Sequence, residues 1–144
     1  MKRGLLAIVL GIIFLFLTTW IATLLTSIIP HRVTPQVQTA QAGPYQVTMQ
    51  VSPNPPPITQ PATLTIQVLV NASKQPVTNA HVTLASNMET MDMSTDNVEA
   101  RSQGNGMYLA SVQFTMSGSW HVQVAISSTG GTRPATTVFE VTAQ

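Results

Sequence analysis

The chain contains no cysteine. Disulfides, thiolate metal sites, a thiol nucleophile and a lipidated cysteine anchor are all excluded, so an exported part must hold together by packing alone. Charge is scarce as well: 8% of residues are charged, against roughly 25% in ordinary soluble domains. Beyond residue 43 the basic residues are Lys74, Arg101 and Arg133 against five acids, a net −2. Nucleic acid and anionic lipid need a basic patch, so this part is expected to bind neither. A Gly-x-Ser-x-Gly elbow and a phosphate-cradling glycine loop are also missing. Ser117 and Ser119 flank Gly118 without an implied base nearby. The protein is therefore expected not to be an enzyme.

What is present begins with an apolar run. From Leu5 to Ile29 no residue is charged. About 20 apolar residues cross the hydrocarbon core of a bilayer, ~30 Å thick, as a helix. Lys2 and Arg3 precede the run and place the N-terminus in the cytoplasm; His31 and Arg32 on the far side weaken that bias without reversing it. Ala40-Gln41-Ala42 has the small-x-small form of a cleavage site, which makes a cleaved signal peptide the competing reading. Signal peptides carry apolar regions of about 7–15 residues, and this run is longer, which favours a retained anchor over residues 1–30. Either way the rest of the chain is exported, to a periplasm or the cell exterior, and the cytoplasmic membrane is the first expected partner.

Residues 31–43 are polar, Gln-rich and without periodicity, and read as an extended linker. From residue 44 to 144 the pattern has a period of two, the mark of half-buried strands. Val47, Met49 and Val51 alternate with polar residues, as do Leu64, Ile66, Val68 and Val70, then Val82 and Leu84. A short strand is expected near Val98 to Ser102. Tyr108 to Met116, Trp120 to Ile126, and Phe139 with Val141 follow. Proline at 53 and 55–57, the stretch 71–76 and Gly104-Asn105-Gly106 supply turns. Met116 to Trp120 reads as a tight hairpin turning at Gly118. The expected fold is all-β, an antiparallel β-sandwich of about seven strands, with Tyr108, Phe114, Trp120 and Phe139 in its core.

One segment does not fit a packing account. Met88, Met91 and Met93 lie within six residues, among Glu89, Asp92, Asp96 and Glu99. The thioether is a soft, uncharged ligand suited to Cu(I), and the carboxylates would attract a cation. Methionines at i and i+2 of an extended segment project to one side, so Met91 and Met93 could reach one ion. Met88 shares parity with the core, where packing is its plainer role, yet at a strand end its sulfur could close a third position. Met116 has core parity too and reads as packing. His81 and His121 have outward parity; were His81 to join the methionines, the mixed set would admit Cu(II). Asp92-x-x-x-Asp96 lacks the ligand order and internal glycine of a calcium loop, and no zinc spacing is present.

Taken in order, several phrases resemble the YtkA-like and FixH families of exported bacterial proteins. They are Pro53-Asn54-Pro55-Pro56, Gln75-Pro76-Val77-Thr78-Asn79-Ala80-His81-Val82, Met88-x-x-Met91-x-Met93, and Gly106-x-Tyr108 followed by Phe114-x-Met116-x-Gly118-x-Trp120. The resemblance covers about residues 45 to 127. It implies an immunoglobulin-like domain behind an anchor. It also implies, from the FixH branch, delivery of copper to a haem-copper oxidase or its assembly machinery, and a metal role for Met88, Met91 and Met93. The cluster has fewer Met and Pro than is common there, and Glu89-Thr90 interrupts it. The rival expectation is a non-catalytic interaction or structural subunit, its sandwich docked on a membrane complex with the methionines as an adaptable surface.

Overall fold

Two units make up the structure, a computed structural model that describes residues 11–21, 34–88, 91–130 and 133–144, with backbone alone for 91–96. They are Met1–Arg32 and Val33–Gln144. In the first, residues 11–21 are α-helical. Thr18 Oγ1 donates to the carbonyl oxygens of Phe14 and Leu15, and Thr19 Oγ1 to that of Leu15, so both hydroxyls are satisfied within an apolar helix. At 1.5 Å per residue the described helical residues span about 16 Å. Among the described residues no helix is long and apolar enough to cross a membrane. The rest of the expected 5–29 span, and Lys2 and Arg3 ahead of it, lie outside the described residues.

The second unit is built of strands. They are β1 Val37–Ala42, β2 Tyr45–Ser52, β3 Ala62–Val70, β4 Ala80–Met88, β5 Met91–Glu99, β6 Arg101–Gly104, β7 Met107–Val112, β8 Gly118–Ser128 and β9 Ala135–Ala143. One sheet runs β1-β2-β3-β7-β6 and the other β5-β4-β8-β9, with every ladder antiparallel. The period of two decides the faces. Val47, Met49, Val51, Leu64, Ile66 and Val68 are buried from the first sheet, Val82, Leu84, Val122, Val124 and Ile126 from the second. Each such side chain contributes about 1.5–3 kcal/mol by leaving water. The four expected core aromatics are all buried.

The expected linker over 31–43 needs correction. Residues 37–42 form β1, paired with β2 from Val37↔Gln50 to Ala42↔Tyr45. Its more buried side carries Gln38, Ala40 and Ala42, too small or too polar to produce a hydrophobic alternation. Gln38 Nε2 donates to the Glu140 carbonyl at 2.5 Å, and Thr34 Oγ1 accepts from Thr142 N at 3.1 Å, so this edge is fastened to β9. With β1 and the division of the 91–104 stretch into β5 and β6, the described strands number nine rather than about seven. That division occurs at the buried Ala100, whose N–H donates to Val82 O at 2.9 Å as the chain leaves one sheet for the other.

The expected hairpin at Met116–Trp120 is also corrected. β7 and β8 belong to different sheets, so residues 113–117 cross over the end of the core instead of turning back. Phe114 is fully buried in that crossing and meets Trp120 edge-on, with centroids 5.5 Å apart at 71°. The crossing from β3 to β4 is clamped by Tyr108. Its hydroxyl donates to Val77 O at 2.7 Å and accepts from Ala80 N at 3.2 Å. Gly106 makes room for the same crossing: a Cβ there would lie 2.7 Å from Val68 O and 2.9 Å from the Pro76 Cβ.

Candidate metal-binding end of the sandwich

At one end of the four-stranded sheet β4 finishes, β5 begins and β8 begins. Met88 is the last residue of β4 and stands between two partners: Met91 opposite it on β5 and Trp120 opposite it on β8. Its N–H donates to its neighbour's Asn87 Oδ1 at 3.1 Å. The Met88 side chain is half-buried and packs on the core, as its parity required. Its ε-methyl leans diagonally along β8 and lies 2.9 Å from the place a Cβ of Gly118 would occupy. Diagonal neighbours of this kind are within reach of a long side chain in an antiparallel sheet.

Trp120 forms the floor. It is 5% exposed, and its Nε1–H donates to Met116 O at 2.9 Å. That bond folds the 116–117 bend back over the indole. Met116 is half-buried against the same core. Met88, Met116, Phe114 and Trp120 therefore all lie toward this end.

The β4–β5 ladder brings Met88 and Met91 together but is irregular just beyond them. Between the pairs Ser86↔Asp96 and Met88↔Met91, β4 advances two residues while β5 covers five. Met93 lies in that looped-out part, where the simple two-residue alternation does not apply. The expectation that the Met91 and Met93 sulfurs share a side concerns side chains outside the described residues, as do those of Asp92 and Asp96; Glu89 is outside them altogether.

His81 does not join this set. It sits seven residues from Met88 near the other end of β4, roughly 23 Å away at the rise of a strand, so one ion cannot touch both. Its Nδ1 is 3.0 Å from Glu99 Oε1, a pair more than half exposed on both sides. Arg101, Ser102 and Tyr108 line a cleft beside it. His121, opposite Asn87 on β4 and Glu140 on β9, has its Nε2 3.9 Å from Glu140 Oε1 on the outer face. Among the described residues no three His, Cys, Asp or Glu side chains converge as a metal cluster. The side chains described at the Met88 end that carry a soft donor atom are Met88 and Met116, both packed on the core, and thioethers suit a soft monovalent ion far better than zinc or calcium.

Sequence reasoning missed the part played by Met116 and Gly118. Both were visible as Met116-x-Gly118-x-Trp120, but nothing in that spacing shows that Met88 folds into the space the glycine leaves. A family model described as YtkA-like matches residues 39–125. No curated protein and no solved structure matches the chain.

Proposed function

The chain belongs to the YtkA-like family, and from that premise we propose that it is a membrane-anchored, extracytoplasmic, non-catalytic carrier of Cu(I). The ion is held by Met88, Met91 and Met93 and passed to a membrane partner, such as a haem-copper oxidase or its assembly machinery. The observation that carries this reading is the pairing of Met88 with Met91 at the end of β4, where Met88 is half-buried. Thioethers bind without losing a proton, so such a site keeps its affinity in an acidic exterior, where histidine and cysteine ligands lose theirs. An uncharged, all-sulfur site is suited to exchange with another protein's soft ligands. The apolar run from Leu5 to Ile29 supplies the anchor in this reading.

The fold assists in the same sense. With β1 set aside, the orders β2-β3-β7-β6 and β5-β4-β8-β9 correspond to the A-B-E-D and C′-C-F-G sheets of an immunoglobulin-like domain. Such a domain carries its variable chemistry on the loops and strand ends at its two rims.

The test is a Cu(I) titration of the full chain in mild detergent under reducing conditions. Binding tighter than about micromolar is expected, with loss of most of that affinity in a Met91→Leu/Met93→Leu double variant. Unchanged binding in the double variant would reject the site and favour a docking role for the methionines.

A further inference from the structure

Beyond the three methionines of the β4–β5 segment, a fourth sits at the same end of the sandwich. We propose that Met116 is a further thioether ligand, forming with Met88 a two-sulfur half-site on a fixed backbone, seated on Gly118 and floored by Trp120. This inference rests on the copper reading above and extends it.

The geometry has three parts. First, the Met88 ε-methyl occupies the space beside Gly118, so the Met88 thioether is directed along β8 toward the residues that precede it. Second, Met116 is two residues ahead of Gly118, a separation of at most about 7 Å along the chain. Third, the 116–117 bend is fixed in place, because Met116 O accepts the Trp120 indole N–H at 2.9 Å. Trp120 is itself opposite Met88 in the ladder and held edge-on by Phe114. Both methionines are half-buried on the core, so their backbones are fixed while three rotatable bonds leave each sulfur able to adjust.

The consequence is a division of labour. Met88 and Met116 come from a framework strand end and a bonded crossing, and their backbones are placed before any ion arrives. Met91 and Met93 come from the irregular β5 ladder. A preformed half favours a soft ion of low coordination number, Cu(I) or Ag(I), over hydrated divalent ions that need charged oxygen donors.

Trp120 provides the readout. In a Trp20→Phe background it is the chain's single indole, and an ion bound above it changes its emission. The experiment titrates the full chain in detergent with Ag(I), a redox-inert stand-in for Cu(I), following Trp120 fluorescence. Sulfur coordination number is measured on the Cu(I)-loaded protein by X-ray absorption. Met116→Leu conserves volume and is expected to weaken Ag(I) at least about tenfold and to lower the sulfur number by one. A Met116→Leu protein with unaltered affinity and sulfur number overturns the inference while leaving the copper reading standing, provided Met91→Leu/Met93→Leu still loses binding. If the parent chain binds no Ag(I), the copper reading fails and this inference with it. Should Met116→Leu melt at a lower temperature, the sulfur number at a temperature where it remains folded decides the matter: a drop of one supports the ligand, no drop rejects it.

Discussion

The ε-methyl of Met88 lies 2.9 Å from the point where a Cβ on Gly118 would stand. The glycine is thus the space into which the thioether folds, and its φ of +136° is one that side-chain-bearing residues rarely adopt. A Gly118→Ala change is expected to cost about 1–3 kcal/mol through backbone strain. The Met88 methyl, the far end of a flexible chain, moves aside instead of adding a large clash. Urea unfolding measures the first effect, and a shifted Met88 methyl resonance the second.

Gly106 gives a sharper result, because its neighbours are backbone atoms and the Cβ of a proline ring, none of which can swing aside. A Cβ there meets Val68 O at 2.7 Å and Val77 N at 3.0 Å, at a φ of +71°. Gly106→Ala is expected to lose about 2–4 kcal/mol, from strain and overpacking combined. A midpoint in urea indistinguishable from that of the parent would show that the β3–β4 crossing is not packed as described.

Tyr108→Phe removes one oxygen and leaves two backbone groups, Val77 O and Ala80 N, without that partner. The expected cost is about 1–3 kcal/mol, the penalty for unsatisfied groups in a part-buried setting. Exchange of the Ala80 amide with deuterium should accelerate more than that of amides in the middle of β8.

The first strand can be distinguished from a linker by one charge. Ala42 is fully buried, so Ala42→Asp is expected to destabilise the domain by at least about 2 kcal/mol. A linker residue would accept the same change silently. The comparison with Gln41→Asp, at an exposed position of the same strand, separates burial from net charge.

His81 offers a test of the position of the proposed metal end. At roughly 23 Å from Met88, its replacement by alanine is expected to leave Cu(I) affinity unchanged within about twofold, whereas Met88→Leu weakens it markedly. Equal losses in the two variants would show that ion binding does not occur at the Met88 end.

Much of the sandwich was legible from alternation. Val47 to Val51, Leu64 to Val68 and Trp120 to Ile126 carry apolar side chains at every second position, and burial of one face follows directly. β1 was not legible, since a strand whose inward side is Gln38, Ala40 and Ala42 has no hydrophobic period to detect. The 113–117 crossing was misread for a different reason. Glycine between two serines has the composition of a tight turn, and only the assignment of β7 and β8 to separate sheets reveals a crossover.

The site shows the same partition. The nearness of Met88, Met91 and Met93 along the chain is a property of the primary structure, because residues three and five positions apart cannot stray far. Whether His81 or Met116 belongs with them is decided by strand direction and register, which act over distances that local spacing cannot encode. An antiparallel ladder carries His81 to the far end of β4 and brings Met116, 28 residues from Met88, to the near one. Composition determined that four methionines are available near one another or near Trp120 in the sequence; the pairing of β4 with β5 and β8 determined that Met88 stands between Met91 and Trp120.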